Sequence, residues 1–306
     1  MSDLSPFISV VIPHLNQAEQ LRNCLSSLKA QTLRADRFEI IVVDNGSKAL
    51  PEAICGSFER VELLREPTPG PGPARNRGVQ AARAPILAFI DADCLADRDW
   101  LATIAANFEE DGACQIIGGD VRIAYNDARR ITMLEAYESI FAYRQQEYIE
   151  RQGFSGTGNL AVRRSSYDAV GTFAGKDIAE DREWGRRATG AGFTIRYVPE
   201  MLVFHPARTS FAELRAKWDR HVSHDFEECA QGGLGRLRWF VLAVAVLGSP
   251  IFEIRRIACT PRVSRWRERL LAAIVLIRIR IYRARTMFHL FIWGRRASTA
   301  QAWNVR

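Results

Sequence analysis

An α/β fold built on a parallel sheet is what this 306-residue chain predicts, from three observations. Short, β-branched apolar runs alternate with amphipathic stretches through its first third. The runs Phe7–Ile12 (FISVVI), Phe38–Val43 (FEIIVV) and Ile86–Ile90 (ILAFI) are apolar almost throughout, as strands covered on both faces are. Polar motifs follow these runs directly, at Pro13–Asn16, Asp44–Ser47 and Asp91–Asp93, where open α/β sheets bind their ligands.

Each element has its own local reason. Pro13 stops the first strand, and Asn16–Ala30 then sets Leu21, Cys24, Leu25 and Leu28 at helical spacing. The second strand ends at Asp44-Asn45-Gly46-Ser47, a turn signal. Val61–Leu64 is a third strand, Gly70–Pro73 a Pro/Gly loop, Asn76–Arg83 a helix and Ile86–Ile90 the fourth strand. Beyond it, Asp99–Phe108 reads as a helix, Gln115–Ile123 as a strand and Thr132–Glu150 as one long aromatic-rich amphipathic helix. Phe154–Val162 holds the glycine-spaced GTGNLAV. Ile178–Ala191 is a helix that opens on acids, and Thr194–Phe204 is a strand ending at His205-Pro206.

Charge divides the chain more sharply than composition does. Residues 232–306 carry 15 Arg and no Lys against only Glu253 and Glu268, which is +13 in a chain of net +7 and leaves −6 for residues 1–231. Two regions are therefore expected, an acidic domain over 1–231 and a basic, apolar helical tail over 232–306. The six cysteines form no Cys-x-x-Cys pair and no zinc spacing, which fits reduced thiols in a cytosolic compartment. The N-terminus enters a strand almost at once, without a basic region and secretory apolar core, so the expected location is cytoplasmic.

The acidic pairs are where chemistry concentrates. Asp91 and Asp93 stand at i and i+2 where a buried strand runs out, a costly placement unless something positive sits between them. A hard divalent cation shared with a phosphate suits that spacing; a polar strand end is the plainer alternative. Asp44 can accept a hydrogen bond from a base imide or a ribose hydroxyl, or simply close an Asx-turn. Arg75 and Arg77 flank Asn76 after the Pro/Gly loop, where a guanidinium offers bidentate contacts to a diphosphate, or a solvated helix start. Glu180-Asp181 opens a helix, where the dipole favours anions.

The motifs VVIPHLNQ, VVDNGS, ARNRG, FIDAD, GNLAVRR and EDREWGRRATGAGF, taken in this order over residues 7–225, resemble a family 2 glycosyltransferase. That resemblance implies a GT-A (Rossmann-like) fold and a nucleotide-diphosphate sugar donor. It implies Mn²⁺ or Mg²⁺ on Asp93, with Asp91 on the ribose or the metal shell and His205 as a further ligand or a buried structural histidine. It places Pro13, Asn16, Asp44 and Arg75 around the nucleotide sugar, and makes Asp181 the general base of an inverting reaction with Glu180 positioning it or the acceptor. Asn45 stands where the family often has a second Asp. Arg163 and Arg164 either approach the donor or are solvated. The alternatives are a sugar-1-phosphate nucleotidyltransferase, whose Gly-rich, Arg/Lys-containing signature VVIPHLNQ does not supply, and a catalytically inactive membrane-bound scaffold of the same fold.

The tail is apolar over Trp239–Phe252, Leu270–Ile277 and Met287–Trp293, with arginines between. None of these stretches reaches the roughly 20 residues of a clean spanning helix. Interfacial binding to an anionic membrane surface at the inner face of the cell membrane is expected, with a helical subdomain packed on the body as the alternative. No nucleic-acid recognition motif is present. Processive synthases of the resembling family carry Gln-x-x-Arg-Trp and several spanning helices, which this sequence lacks, so transfer of a single sugar to a lipid-linked or surface-glycan acceptor is expected.

Overall fold

The computed structural model describes residues 5–175, 179–229 and 235–293. Its strands are β1 (Ile8–His14), β2 (Phe38–Asp44), β3 (Val61–Arg65), β4 (Ile86–Ile90), β5 (Leu95–Ala96), β6 (Ile116–Ala124), β7 (Asn159–Arg163) and β8 (Ile195–Pro206). They form one sheet in the order β3-β2-β1-β4-β7-β6-β8-β5. The helices are α1 (Ala18–Lys29), α2 (Glu52–Cys55), α3 (Pro71–Ala81), α4 (Trp100–Glu110), α5 (Met133–Phe141), α6 (Gln145–Gln152), α7 (Arg164–Val170), α8 (Glu180–Gly190), α9 (Phe211–Cys229), α10 (Gly235–Gly248), α11 (Pro250–Cys259) and α12 (Trp266–Trp293).

The sheet is mixed, which corrects the expectation of a parallel one. β3, β2, β1 and β4 run parallel, while β7 pairs antiparallel with β4 and β6, and β5 antiparallel with β8. The apolar runs of β1, β2 and β4 announce burial on both faces, but nothing local to the later strands records their direction. Along β1, Ile8, Val10 and Ile12 pack with Leu21, Leu25 and Leu28 of α1, while Val11 lies with Val79, Leu87 and Phe89. Gln115–Ile123 and Thr194–Phe204 are strands within two residues of the expected bounds.

The single helix expected over Thr132–Glu150 is two. A capping box between Thr132 and Glu135 starts α5. The chain then breaks at Tyr143, whose φ of 49° is left-handed, before α6 begins. The break redirects the chain while the apolar period continues across it, so periodicity alone hides it.

Two compact units result, Met1–Arg122 with Tyr143–Pro206, and Ile123–Ala142 with Ala207–Arg306. They divide the chain at other points than the expected 231/232 boundary. The reason is packing: Leu214 of α9 shares a core with Ile131, Leu134 and Tyr137 and with Ala272, Val275 and Ile279 of α12. Val222 of α9 packs with Trp239, Ala243 and Met287. Among the described residues no single helix is long and apolar enough to cross a membrane, although α10 and α11, bent by 43°, pass that test together by length and composition. All six cysteines are free, and only Cys259 is exposed.

Candidate active site

The carboxyl ends of β1 and β2 lie side by side, with His14 in register with Asp44. Both side chains are buried, and His14 Nδ1 lies 3.0 Å from Asp44 Oδ1. Because the Gln17 N–H donates to His14 Nε2, the ring carries its proton on Nδ1 and donates it to Asp44. Asp44 Oδ2 accepts from the Gly46 and Ser47 amides. Burial pushes this carboxyl up, but the hydrogen bonds from Ser47 and His14 outweigh it and hold it below the usual range, so it stays charged. Asn16, at φ 56°, ties the β1 loop to the same turn, its amide donating to Ser47 Oγ and its Oδ1 accepting from Lys48. Asn45 donates to the carbonyls of Glu66 and Thr68 and accepts from Gly70, which fixes the loop leading into α3. Pro13 is the penultimate residue of β1.

Arg75, on α3 and only 3% exposed, is the hub of the site. Its Nη2 donates to Asp91 Oδ1 at 2.6 Å and its Nη1 to Glu180 Oε1 at 2.8 Å, while its Nε has no acceptor. One guanidinium thus joins the end of β4 to the start of α8. Gly158 makes room for Asp91, since a Cβ there would stand 2.8 Å from Asp91 Oδ2. Asp91, expected on the ribose or the metal shell, has its Oδ1 turned onto Arg75.

Asp93 has different company. Its Oδ2 lies 3.3 Å from His205 Nε2 and accepts from Gln17 Nε2 at 3.3 Å. His205 Nδ1 donates to the Pro206 carbonyl at 2.7 Å, and the ring packs against Tyr143 with centroids 4.7 Å apart. With Nδ1 committed as a donor, a neutral His205 points its Nε2 lone pair at a carboxylate oxygen, and that approach needs a proton or a cation between the two. Burial lowers the His205 pKa, but the Asp93 hydrogen bond and charge raise it further, to a net value above the ordinary one. Asp93, Cys94 and His205 offer ligand atoms within 4.8 Å of one another. Burial and the Asp93 and Asp91 charges hold the Cys94 thiol protonated, which leaves the carboxylate and imidazole as the donors of the set. That donor set fits Mn²⁺ or Mg²⁺.

Asp181 lies in the first turn of α8 beside Glu180 and Glu183. Burial, then the neighbouring Glu180 charge, pushes its carboxyl up to about 6. Its Oδ1 accepts from the Arg182 amide at 2.7 Å. A carboxylate with that affinity for protons is ionised at neutral pH yet basic enough to accept one.

Arg163 and Arg164 do not reach this site. Arg163 donates to the carbonyls of Phe108, Asp111 and Cys114, and Arg164 to those of Val79, Ala82 and Ala84, so both cap helix ends. Arg187 likewise binds Glu183 and the carbonyls of Val170 and Thr172. The sequence reading missed Asn159, whose buried amide accepts from Trp100 Nε1 and donates to the carbonyls of Asp120 and Met201. It also missed Asn76, whose Oδ1 accepts from Tyr167 and the Phe173 amide. Both asparagines sit inside the quoted motifs, GNLAVRR and ARNRG, and a polar residue amid buried neighbours is the signal that could have found them.

Residues 9–171 match the sequence model of glycosyl transferase family 2. The chain is 32% identical over 253 residues to glycosyltransferase AglE of Haloferax volcanii, covering 81% of this chain and 82% of that protein. It is 28% identical over 203 residues to the putative glycosyltransferase EpsH of Bacillus subtilis, over 53% of this chain and 58% of that protein. Among solved structures it is similar to the mannosyltransferase PcManGT of Pyrobaculum calidifontis in complex with GDP-Man and Mn²⁺, at TM-score 0.59 and 16% identity, over 95% of this chain and 88% of that one. Residues 1–349 of S. aureus TarS in complex with UDP-GlcNAc match at TM-score 0.53 and 16% identity, over 95% and 93%. At that identity the two structures speak for the GT-A fold, while the sequence match carries the family. The protein is a glycosyltransferase and belongs to family 2.

Proposed function

We propose that the protein transfers one sugar from a nucleotide-diphosphate donor to a hydroxyl of a lipid-linked or surface-glycan acceptor, inverting the anomeric centre. The observation that carries this reading is the Asp181 carboxyl, raised to about 6 beside Glu180, which Arg75 ties to Asp91 at the end of β4. Asp181 takes the proton of the acceptor hydroxyl as its oxygen bonds to the anomeric carbon. The bond from that carbon to the diphosphate oxygen breaks in the same step, and the nucleoside diphosphate leaves. Glu180, fixed by Arg75, holds the acceptor side in place. Asp44, kept charged by its turn, accepts from a base imide or ribose hydroxyl, with Pro13 and Asn16 forming the loop around the nucleotide. Asp93 and His205 would hold Mn²⁺ or Mg²⁺, which supplies positive charge to the departing diphosphate. Asp91 orients Arg75 and lies next to that charge.

A panel of nucleotide sugars, each incubated with the full chain and Mn²⁺, tests the reading through released nucleoside diphosphate. Release with one donor, abolished by chelation, is the expected result. No release from any donor, with or without metal, overturns it.

We infer further that the helical unit lies against an anionic membrane at its cytoplasmic face, where lipid-linked acceptors are found. Ile251, Phe252 and Trp266 are 71%, 85% and 77% exposed. Trp266, Leu270, Ile274, Ile277 and Ile281, all exposed, recur at the spacing of one helical face of α12. No acid is exposed among the described residues of α10 to α12, whereas Arg238, Arg255, Arg267 and Arg285 are. Exposed apolar faces with cations and no exposed acid suit immersion at the headgroup level. Flotation with phosphatidylglycerol vesicles, and much less with phosphatidylcholine alone, is expected; a chain left at the bottom with both sinks the membrane reading.

A further inference from the structure

Inside the helical unit, α5, α9 and α12 bring a set of cations together with few acids. Arg208 is taken by Glu138, a buried carboxylate that also accepts from the Arg208 amide at 2.9 Å. Arg280 leans on Glu253 at 3.8 Å. Arg283 has neither. Its guanidinium carbon lies 3.7 Å from the centroid of the Trp218 ring, and Lys217 Nζ lies 5.9 Å from the same ring. Arg283 is 9% exposed, its Nε finds no acceptor, and no ion pair or hydrogen bond joins it or Lys217 to another described residue.

The indole face attracts a guanidinium but accepts none of its in-plane N–H groups. Asp225 favours its charge, but no ion pair holds this buried cation, an expensive arrangement, and its Nε–H is left without an acceptor. The neighbours add to the crowding. Burial, then the Arg208 charge, brings the Lys217 ammonium down to about 8. Burial, then Arg280, brings Arg283 down to about 10. Arg220 and His221 stand three and four residues beyond Lys217, on the same face of α9, and are exposed, so this cluster opens to solvent.

We propose that Arg283 and Lys217, beside Arg208 and Arg220, form a binding site for a phosphate or diphosphate group. Arg283 offers the planar fork that matches two phosphate oxygens, Trp218 holds that fork flat, and Lys217 supplies a point charge from the adjacent helix. The same chemistry is carried by an anionic phospholipid headgroup and by the diphosphate of a lipid-linked acceptor. Only the second source rests on the transfer reading above.

Inorganic pyrophosphate, titrated into the full chain with chelator present to silence any divalent site, tests the proposal. Saturable binding by calorimetry is expected, with a change in tryptophan emission that Trp218→Phe removes. Lys217→Met and Arg283→Gln are each expected to weaken binding by about tenfold or more, the order of one lost charge-assisted contact. At pH 8 binding should take up protons, because an anion next to Lys217 raises an ammonium that Arg208, Arg220 and Arg283 depress and Glu138 favours. Should Arg283→Gln fail to fold, Lys217→Met on the half-buried rim still decides. Displacement of pyrophosphate by phosphatidic acid vesicles identifies a headgroup site, and displacement by a polyprenyl diphosphate in detergent identifies an acceptor site. No pyrophosphate binding, unchanged affinity in Lys217→Met, or displacement by neither lipid overturns the proposal. None of these readouts uses the donor, so failure of sugar transfer and failure of this site are told apart.

Discussion

In the unit Met1–Arg122 with Tyr143–Pro206, no large hydrophobic side chain is exposed among the described residues. Among its described residues the helical unit exposes seventeen, from Met133 to Trp293, so the contrast is one of kind. Charges differ less sharply, since in the helical unit Arg208 pairs with Glu138 and Arg280 with Glu253. Arg75 holds two carboxylates, Arg83 pairs with Glu39, Arg37 with Glu109 and Arg196 with Asp111, whereas Arg283 and Lys217 hold none. Under the membrane proposal, the exposed apolar area and exposed arginines of the helical unit would each find a partner at the headgroup level.

The comparison can be broken from either side. Asp181→Asn should cost the most, a drop of roughly 10²–10⁴ in transfer rate with nucleotide binding retained, read by product formation and by calorimetry. The same carboxyl sets the pH profile. Ionised above its raised pKa of about 6 and protonated below it, it should make transfer rise with pH through that value, and a rate flat from pH 5 to 8 would count against Asp181 as the base. Next is Arg75→Met, which strands Asp91 and Glu180 together and should lower unfolding stability by about 3 kcal/mol in denaturant titrations. A loss under about 1 kcal/mol would mean that water already screens both acids.

On the other side, Phe252→Ser removes the most exposed large apolar group among the described residues. It should weaken vesicle binding by about 2 kcal/mol while changing folding stability by less than about 0.5 kcal/mol. If folding stability falls instead, Phe252 is core and the contrast between the units narrows. The smallest effect is expected from salt. Raising ionic strength from about 0.1 to 1 M shortens the screening length about threefold and should weaken, without abolishing, binding to anionic vesicles.

Much of the catalytic unit was legible because strand burial and strand-end polarity are local signals. Asp44, Asp91, Asp93, Glu180 and Asp181 stood out as candidates from their place after a strand or at a helix start, while His205 entered through the family resemblance. Their pairings were not legible, since a side chain's partner is chosen by the fold. Asp91 and Asp93 look alike in FIDAD, yet Arg75 takes one and His205 faces the other. His14 hid inside a strand run although it is one of the donors, with Ser47 and Gly46, that keep Asp44 charged. Arg163 and Arg164 looked available for a ligand, but carbonyls at two helix ends claim them. In the tail, charge and apolar runs were visible from the start. That α9 and residues 123–142 join it depends on packing between separate segments, as of Leu134 with Leu214 and Ile279, and no period records that.

Arg75 also limits which sequences can occupy this fold. Two separate nitrogens of one rigid plane serve two acids that are 89 positions apart in the chain, at 2.6 and 2.8 Å. A lysine at position 75 would keep the charge but offer a single centre on a flexible stem, unable to hold both distances at once. Drift at any one of the three positions therefore exposes the other two, so 75, 91 and 180 are bound to change together or not at all.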